Sequence, residues 1–276
     1  MKTRRRSLPG GWYPEGKADT IQKIESLRLG IAPRPETAWA GIVPHAGWDY
    51  SGRAALAAVL SIKGPVDTCV VVGGHLLPGA GVLAAFEDGF ETPLGTLPAD
   101  RGLLELLRRD LTVREDDDPD NTVEIQLPFV KYAFPGCAVL WLRAAPSNEA
   151  IALGETLARR AAESEKAVVV LGSTDLTHYG ESYGFTPHGR GEEAVRWVKE
   201  VNDKKIIDLF LKLDLASALA AAEEDSSACS AGGAAAAAAY ARARGSTSGK
   251  LLTYYTSYDV FPHESFVGYA GIVFPA

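Results

Sequence analysis

The sequence predicts an α/β fold: a mixed, largely parallel central sheet with helices on both faces. Three observations predict it. Short apolar runs rich in β-branched residues recur along the chain. Gly, Pro or Ser generally bound them, as expected of strands covered on both sides. Between them lie stretches with apolar residues at a helical period, and such alternation marks α/β architecture.

The elements follow in order. Trp39–Val43 is an apolar strand closed by Pro44, and Ser51–Ile62 carries Ala, Leu and Val on one repeating helical face. Thr68–Gly73 is a strongly apolar strand. Ala84–Gly95, with Phe86, Phe90 and Pro93-Leu94-Gly95, reads as a hairpin or side strand. Pro98–Arg109 sets Leu103, Leu104, Leu106 and Leu107 beside charged residues and reads as a helix. Asp116-Asp117-Asp118-Pro119-Asp120 is an acidic turn suited to cap a helix starting near Asn121. Strand Ala138–Leu142, helix Asn148–Glu163, strand Ala167–Gly172 and helix Asp203–Leu219 come next. Ala231–Ala243 is alanine-rich; alanine forms helices best and packs closely, so a buried helix is expected there. Strands Leu251–Tyr255 and Val267–Phe274 close the series. No charge run or Ser/Gly linker divides the chain, so one domain over residues 1–276 is expected.

Composition narrows the function classes. In 276 residues, 46% are hydrophobic and 23% charged, which excludes disorder, collagen and coiled coil for the whole chain. The net charge of −7 argues against a nucleic-acid-binding face. Lys2, Arg4, Arg5 and Arg6 make the N-terminal tip basic, but Pro9, Gly10 and Gly11 follow in place of the apolar region of a secretory signal. No apolar run approaches the roughly 20 residues of a membrane span. Cys69, Cys137 and Cys229 are odd in number and far apart, which argues against a disulfide framework. A cytoplasmic protein without nucleic-acid or membrane partners is the expectation.

Three segments gather reactive side chains at the carboxyl ends of strands, where open α/β sheets place their ligands. Pro44-His45-Ala46-Gly47-Trp48-Asp49-Tyr50-Ser51-Gly52 follows the first strand, and Gly73-Gly74-His75 ends the second. Each histidine alone reads equally as a packed turn residue; together they suit one metal, provided their strands are neighbours. Ser173-Thr174-Asp175-Leu176-Thr177-His178-Tyr179 follows a third strand, and on a helical turn Asp175 and His178 would share a side. His178 suits a general acid or base and Asp175 an outer-sphere partner; the plainer alternative is a helix-capping Asp with surface His and Tyr. Cys229 opens the alanine-rich helix, where backbone donors stabilise a thiolate, although spacing alone favours a small buried hydrophobe. Cys69 and Cys137 read as packing residues. Glu124 and Gln126 are polar candidates for the crevice rim. Trp48, Tyr50, Tyr179 and Tyr258 are candidates to line an aromatic pocket, with plain packing as the alternative. His188 and His263 read as surface positions. P-loop, dinucleotide and paired CxxC motifs are absent.

Taken together, these motifs resemble the Memo-like family, also called AmmeMemoRadiSam system protein B. Gly11-Trp12-Tyr13-Pro14, Pro44-His45-Ala46-Gly47 with Tyr50-Ser51-Gly52, Val72-Gly73-Gly74-His75 and Thr92-Pro93-Leu94-Gly95 match its motifs in order. Glu124-Ile125-Gln126-Leu127-Pro128-Phe129, Ser173 to Tyr179 and Val267-Gly268-Tyr269 continue the match to the end of the chain. The resemblance implies a fold similar to class III extradiol ring-cleaving dioxygenases. It implies His45, His75 and Cys229 as metal ligands, with Asp175 and His178 lining the same site. Iron(II) is the first expectation for the metal, with copper or zinc as alternatives. It further implies a small-molecule substrate, aromatic in character, or a peptide, and radical SAM and AMMECR-type proteins as partners. Where the family usually carries histidine before Glu-x-Gln-Leu-Pro, this chain has Asn121, which hydrogen-bonds but moves no proton near neutral pH. Ser230-Ala231 replaces the family's Gly-Pro after Cys229, and Tyr258 replaces a glycine, which would narrow the pocket. Three functional readings follow: a metal-dependent oxidoreductase of dioxygenase-like type, a non-catalytic binding or scaffold protein using the same crevice, and a zinc hydrolase.

Overall fold

The structure, a computed structural model, describes residues 2–31 and 37–276. Its strands are β1 (Thr3–Arg4), β2 (Ala38–Val43), β3 (Thr68–Gly73), β4 (Val82–Ala84), β5 (Gly89–Phe90), β6 (Leu97–Pro98), β7 (Val113–Glu115), β8 (Ala138–Ala144), β9 (Val168–Ser173), β10 (His178–Tyr179), β11 (Lys250–Thr256) and β12 (Phe266–Pro275). Its helices are α1 (Lys17–Arg28), α2 (Gly52–Ser61), α3 (Arg101–Leu107), α4 (Asn121–Glu124), α5 (Leu127–Ala133), α6 (Asn148–Glu163), α7 (Glu192–Trp197), α8 (Asp203–Leu211), α9 (Leu215–Glu224), α10 (Ala231–Ala243) and α11 (Ser257–Val260).

The main sheet runs β10-β12-β2-β9-β3-β8-β4-β7, with β11 paired to β12. Its centre is parallel, β2 to β9, β9 to β3 and β3 to β8, while β12, β11 and β10 join antiparallel on one side and β4 on the other. The expected mixed sheet is therefore present, parallel at its centre and antiparallel toward both sides. Successive side chains of the central strands enter opposite cores. Val70, Val72, Leu140 and Val170 pack with α6, α8, α9 and α10, whereas Val71, Val139, Trp141 and Leu171 pack with α1, α2 and α5. That two-sided burial is why these strands read as continuous apolar runs. Among the described residues, no helix is long and apolar enough to cross a membrane.

The alanine-rich helix forms as expected, and its buried side chains explain its composition. A Cβ on Gly172 would stand 2.5 Å from Gly233 O, and one on Gly233 would stand 2.3 Å from Val72 O. The helix therefore lies on the strand backbones, and only small residues permit that approach. Two expectations are corrected. The stretch Asp203–Leu219 is two helices, because Leu213 takes a left-handed φ of 58° and Asp214 caps α9 by accepting from Ser217 N. The segment Ala84–Gly95 divides: β4 ends at Ala84 in the main sheet, and the hairpin is β5 with β6 in a small sheet beside β1.

Candidate metal centre

His45 follows β2, His75 follows β3, and Ser173 to Asp175 end β9, which lies between those two strands. The histidine-bearing strands are thus not direct neighbours, as the sequence reading required, but flank a third. The imidazoles still meet, with ring centroids 4.9 Å apart. The turn Ser227–Ser230 before α10 brings Cys229 to the same point, its N–H donating to Asp175 O at 3.2 Å. One donor atom from each of His45, His75 and Cys229 lies within 4.8 Å of the others.

Each group is positioned by identifiable contacts. His45 is buried; its N–H donates to Asp175 Oδ1 at 2.7 Å, and its Nδ1 lies 3.2 Å from Ser173 Oγ. Gln126 Nε2 donates to the same hydroxyl and to Pro44 O, and Asn121 Nδ2 donates to His45 O at 3.1 Å. Cys229 Sγ lies 3.2 Å from His45 Nε2. Burial holds the His45 imidazole down to about 3, with the nearby His75 adding to the effect, so His45 is neutral at pH 7. Burial, and then the Asp175 charge, push the Cys229 thiol well above its ordinary range. With both groups neutral, this geometry suits a thiol donating to Nε2 and a proton carried on Nδ1. Burial raises Asp175 to about 6. Asp120 Oδ2 faces His75 Nδ1 at 3.4 Å. Burial alone would raise the Asp120 carboxyl, but hydrogen bonds from His75 and Thr122 and the Arg143 charge hold it below the usual range.

The donor set suits a transition metal. Tetrahedral coordination with metal–N near 2.0 Å and metal–S near 2.3 Å places neighbouring donors roughly 3.3–3.6 Å apart. The His45–Cys229 separation of 3.2 Å falls just short of that spacing, so a small outward shift would admit a metal. The cluster stands at a cleft of about 550 Å³ whose lining includes Trp12, Tyr50, Asn121, Asp175, His178, Tyr183, Phe261, His263 and Tyr269. His178 Nδ1 lies 3.1 Å from Leu176 O and must donate to it, which leaves Nε2 as an acceptor. Burial lowers the His178 pKa, which favours that neutral form.

Several sequence expectations are corrected here. Asp175 and His178 share the cleft but not a helical turn. Leu176 N donates to Gly268 O and Gly268 N to Thr177 O, so the segment runs extended along β12. Cys229 precedes α10 and lies outside its first turn. Trp48 is a core residue stacked on Phe129 at 4.0 Å, with Nε1 donating to Ile125 O. Glu124 lies away from the cleft lining; it accepts from Ser7 N, Leu8 N and Tyr13 Oη and so ties down the N-terminal segment. Tyr179 stacks on Phe266, and its hydroxyl donates to Gly189 O. Tyr258 lines a separate cavity of about 220 Å³ with Val195 and Phe266. Tyr50 alone of the four aromatic candidates reaches the cleft. His263 is exposed, as the sequence predicts, and also lines the cleft together with Tyr183 and Phe261.

Comparison with known proteins gives a consistent picture. A family description, Memo-like protein, matches residues 4–273. A MEMO1 family protein of Pyrobaculum arsenaticum is 32% identical over 99% of both chains. One of Methanopyrus kandleri is 31% identical over 97% of both. Among solved structures, an uncharacterized protein from Escherichia coli K12 superposes with a TM-score of 0.57 at 12% identity, covering 85% of this chain and 98% of that one, a likeness of fold alone.

Proposed function

We propose that this chain, which belongs to the Memo-like protein family, holds a transition metal on His45, His75 and Cys229 and acts as an oxidoreductase on a neutral aromatic small molecule. Iron(II) is the first choice of metal, with copper or zinc as alternatives. The observation that carries this reading is the convergence of two imidazoles and one thiol, far apart in sequence, to within 4.8 Å at the cleft. When bound, iron or copper supplies Lewis acidity and one-electron chemistry, with positions left open beyond three protein donors.

The remaining work falls to side chains of the cleft. Trp12, Tyr50, Tyr183, Phe261 and Tyr269 offer flat apolar walls, and no Lys or Arg lines the cleft among the described residues. A ring without phosphate or carboxylate groups suits such a lining. His178 Nε2 is an acceptor held neutral by burial, so it suits receiving a proton from a substrate hydroxyl. Asn121 orients the His45 backbone and lends the cleft an amide that cannot take that proton. Iron(II), copper and zinc should each be offered to the purified protein without oxygen, and the metal counted after gel filtration. The expected result is near-equimolar retention that collapses in His45→Ala and His75→Ala, with oxygen uptake over a panel of phenols lost in His178→Ala. Undiminished metal retention in both ligand variants would end the reading. Retention of zinc without oxygen uptake would favour a hydrolase, and ring binding unchanged by either ligand variant a binding module.

A further inference from the structure

The Asp120 carboxylate that faces His75 belongs to a buried ion network centred on Arg143. Arg143 is 4% exposed and sits in β8, in the otherwise apolar run Ala138-Val139-Leu140-Trp141-Leu142. A guanidinium in such a place is costly unless its partners repay the lost water. Its partners lead to one turn. Arg143 Nε donates to Gly74 O at 3.0 Å, Nη1 donates to Asp116 Oδ1 at 3.0 Å, and Nη2 stands 3.5 Å from Asp120 Oδ2. Trp141 Nε1 donates to the other oxygen of Asp116. Gly74 N–H donates to Thr122 Oγ1 at 3.2 Å, and Thr122 in turn donates to Asp120 Oδ1. Both polar groups of the Gly74 backbone are thereby held by side chains. The next residue, His75, takes a left-handed φ of 56°, a conformation costly for a residue with a Cβ.

We propose that Asp120, clamped by Arg143, is the positioning residue of His75: it keeps the imidazole in the Nδ1–H tautomer and leaves Nε2 free for the metal. The inference rests on the metal reading above but is measured apart from it. Histidines that bind metals through one nitrogen are usually fixed by a hydrogen bond at the other, worth roughly 10–100-fold in metal affinity. Asp120→Asn keeps the helix cap and an acceptor for Thr122 N while removing the charge that His75 and Arg143 share, so cooperative melting of the variant is checked alongside. The new amide would then present a donor to His75 Nδ1.

Two measurements decide the matter. In the metal-free wild type, a long-range proton–nitrogen NMR spectrum of labelled histidines should show His75 protonated at Nδ1, and in Asp120→Asn the tautomer should invert. Cobalt(II), titrated against a chelator, should bind the variant about 10–100-fold more weakly than the wild type. A wild-type His75 protonated at Nε2 overturns the proposal without any variant, and so does a variant with unchanged tautomer and affinity. Failure of the wild type to bind cobalt(II) would overturn the metal reading instead, while the tautomer measurement still decides the role of Asp120.

Discussion

Among single side chains, burial without a countercharge decides behaviour as much as proximity does. Burial holds both Cys229 and His45 neutral, so of this pair only the thiol would have to give up a proton to bind a cation. Asp203 shows the same physics outside the cleft. It is fully buried and accepts from Thr177 N, Thr177 Oγ1 and Tyr254 Oη, with no cation among these contacts. Burial pushes its carboxyl up to about 7. A folded-state pKa above the unfolded value gives stability that is full below about pH 4 and is lost as pH rises toward 7. In Asp203→Asn the amide needs no proton, so the variant should gain on the wild type by up to about 4 kcal/mol between pH 4 and pH 7.5. Urea unfolding of both proteins at the two pH values tests this; a difference that does not change with pH would refute it. Legibility at this scale followed chain geometry. His45 and His75 were readable because Pro and Gly end their strands abruptly, which marks a crevice side chain. The sequence hides the packing roles of Trp48, Glu124 and Tyr179, because their neighbours in sequence are site residues while their contacts, Phe129, Tyr13 and Phe266, are distant in sequence. Arg143 carries a sequence signal of its own, a lone charge inside an apolar strand, whereas Asp120 is masked by its ordinary duty as a helix cap.

Among elements, α10 is the piece on which the cleft depends, because its approach to the strands sets where the Cys229 turn ends. Its residues from Ala234 to Ala241 are wholly buried, and Gly233 meets the Val72 carbonyl so closely that a Cβ would stand 2.3 Å from the oxygen. Helix propensity favours Gly233→Ala by up to about 1 kcal/mol, but the steric conflict is with the Val72–Gly73 backbone and has no flexible side chain to relieve it. The conflict should win. The variant should lose roughly 2–3 kcal/mol net, or about 4–12 °C in melting temperature for a chain of this size, which calorimetry would register. An unchanged or raised melting temperature would show that the helix can lift from the sheet at little cost. Elements were the most legible level, since strands buried on both faces carry unbroken apolar runs and α6 carries a clean amphipathic period. The break between α8 and α9 was not, because Leu213 continues the apolar pattern while its backbone turns left-handed, and only the Asp214 cap marks the change. The two-residue strands β5, β6 and β10 are too short for any periodicity to announce them.

For the whole molecule, the candidate ligands matter because of where they come from. His45 and Cys229 are separated by 184 residues, and His75 arrives at the end of a second strand, so the donor set exists only when the central sheet and α10 are assembled. An unfolded chain offers the same residues without the geometry. A metal bound at the cleft is therefore a ligand of the native state almost exclusively, and linkage converts its affinity into stability. With free metal at 100 times the dissociation constant, the gain should be about 2.7 kcal/mol. That corresponds to a rise of roughly 5–10 °C in melting temperature. The rise should grow with the logarithm of metal concentration and vanish when a chelator is added. His45→Ala and Cys229→Ser should each fold and melt cooperatively yet lose most of the rise, since two remaining donors bind weakly. Nonspecific binding to the acidic surface predicts something different: a small effect that salt suppresses and that the ligand variants retain. Melting curves at fixed ionic strength across a metal titration separate the two, and an equal rise in wild type and His45→Ala would place the cation elsewhere than in the cleft.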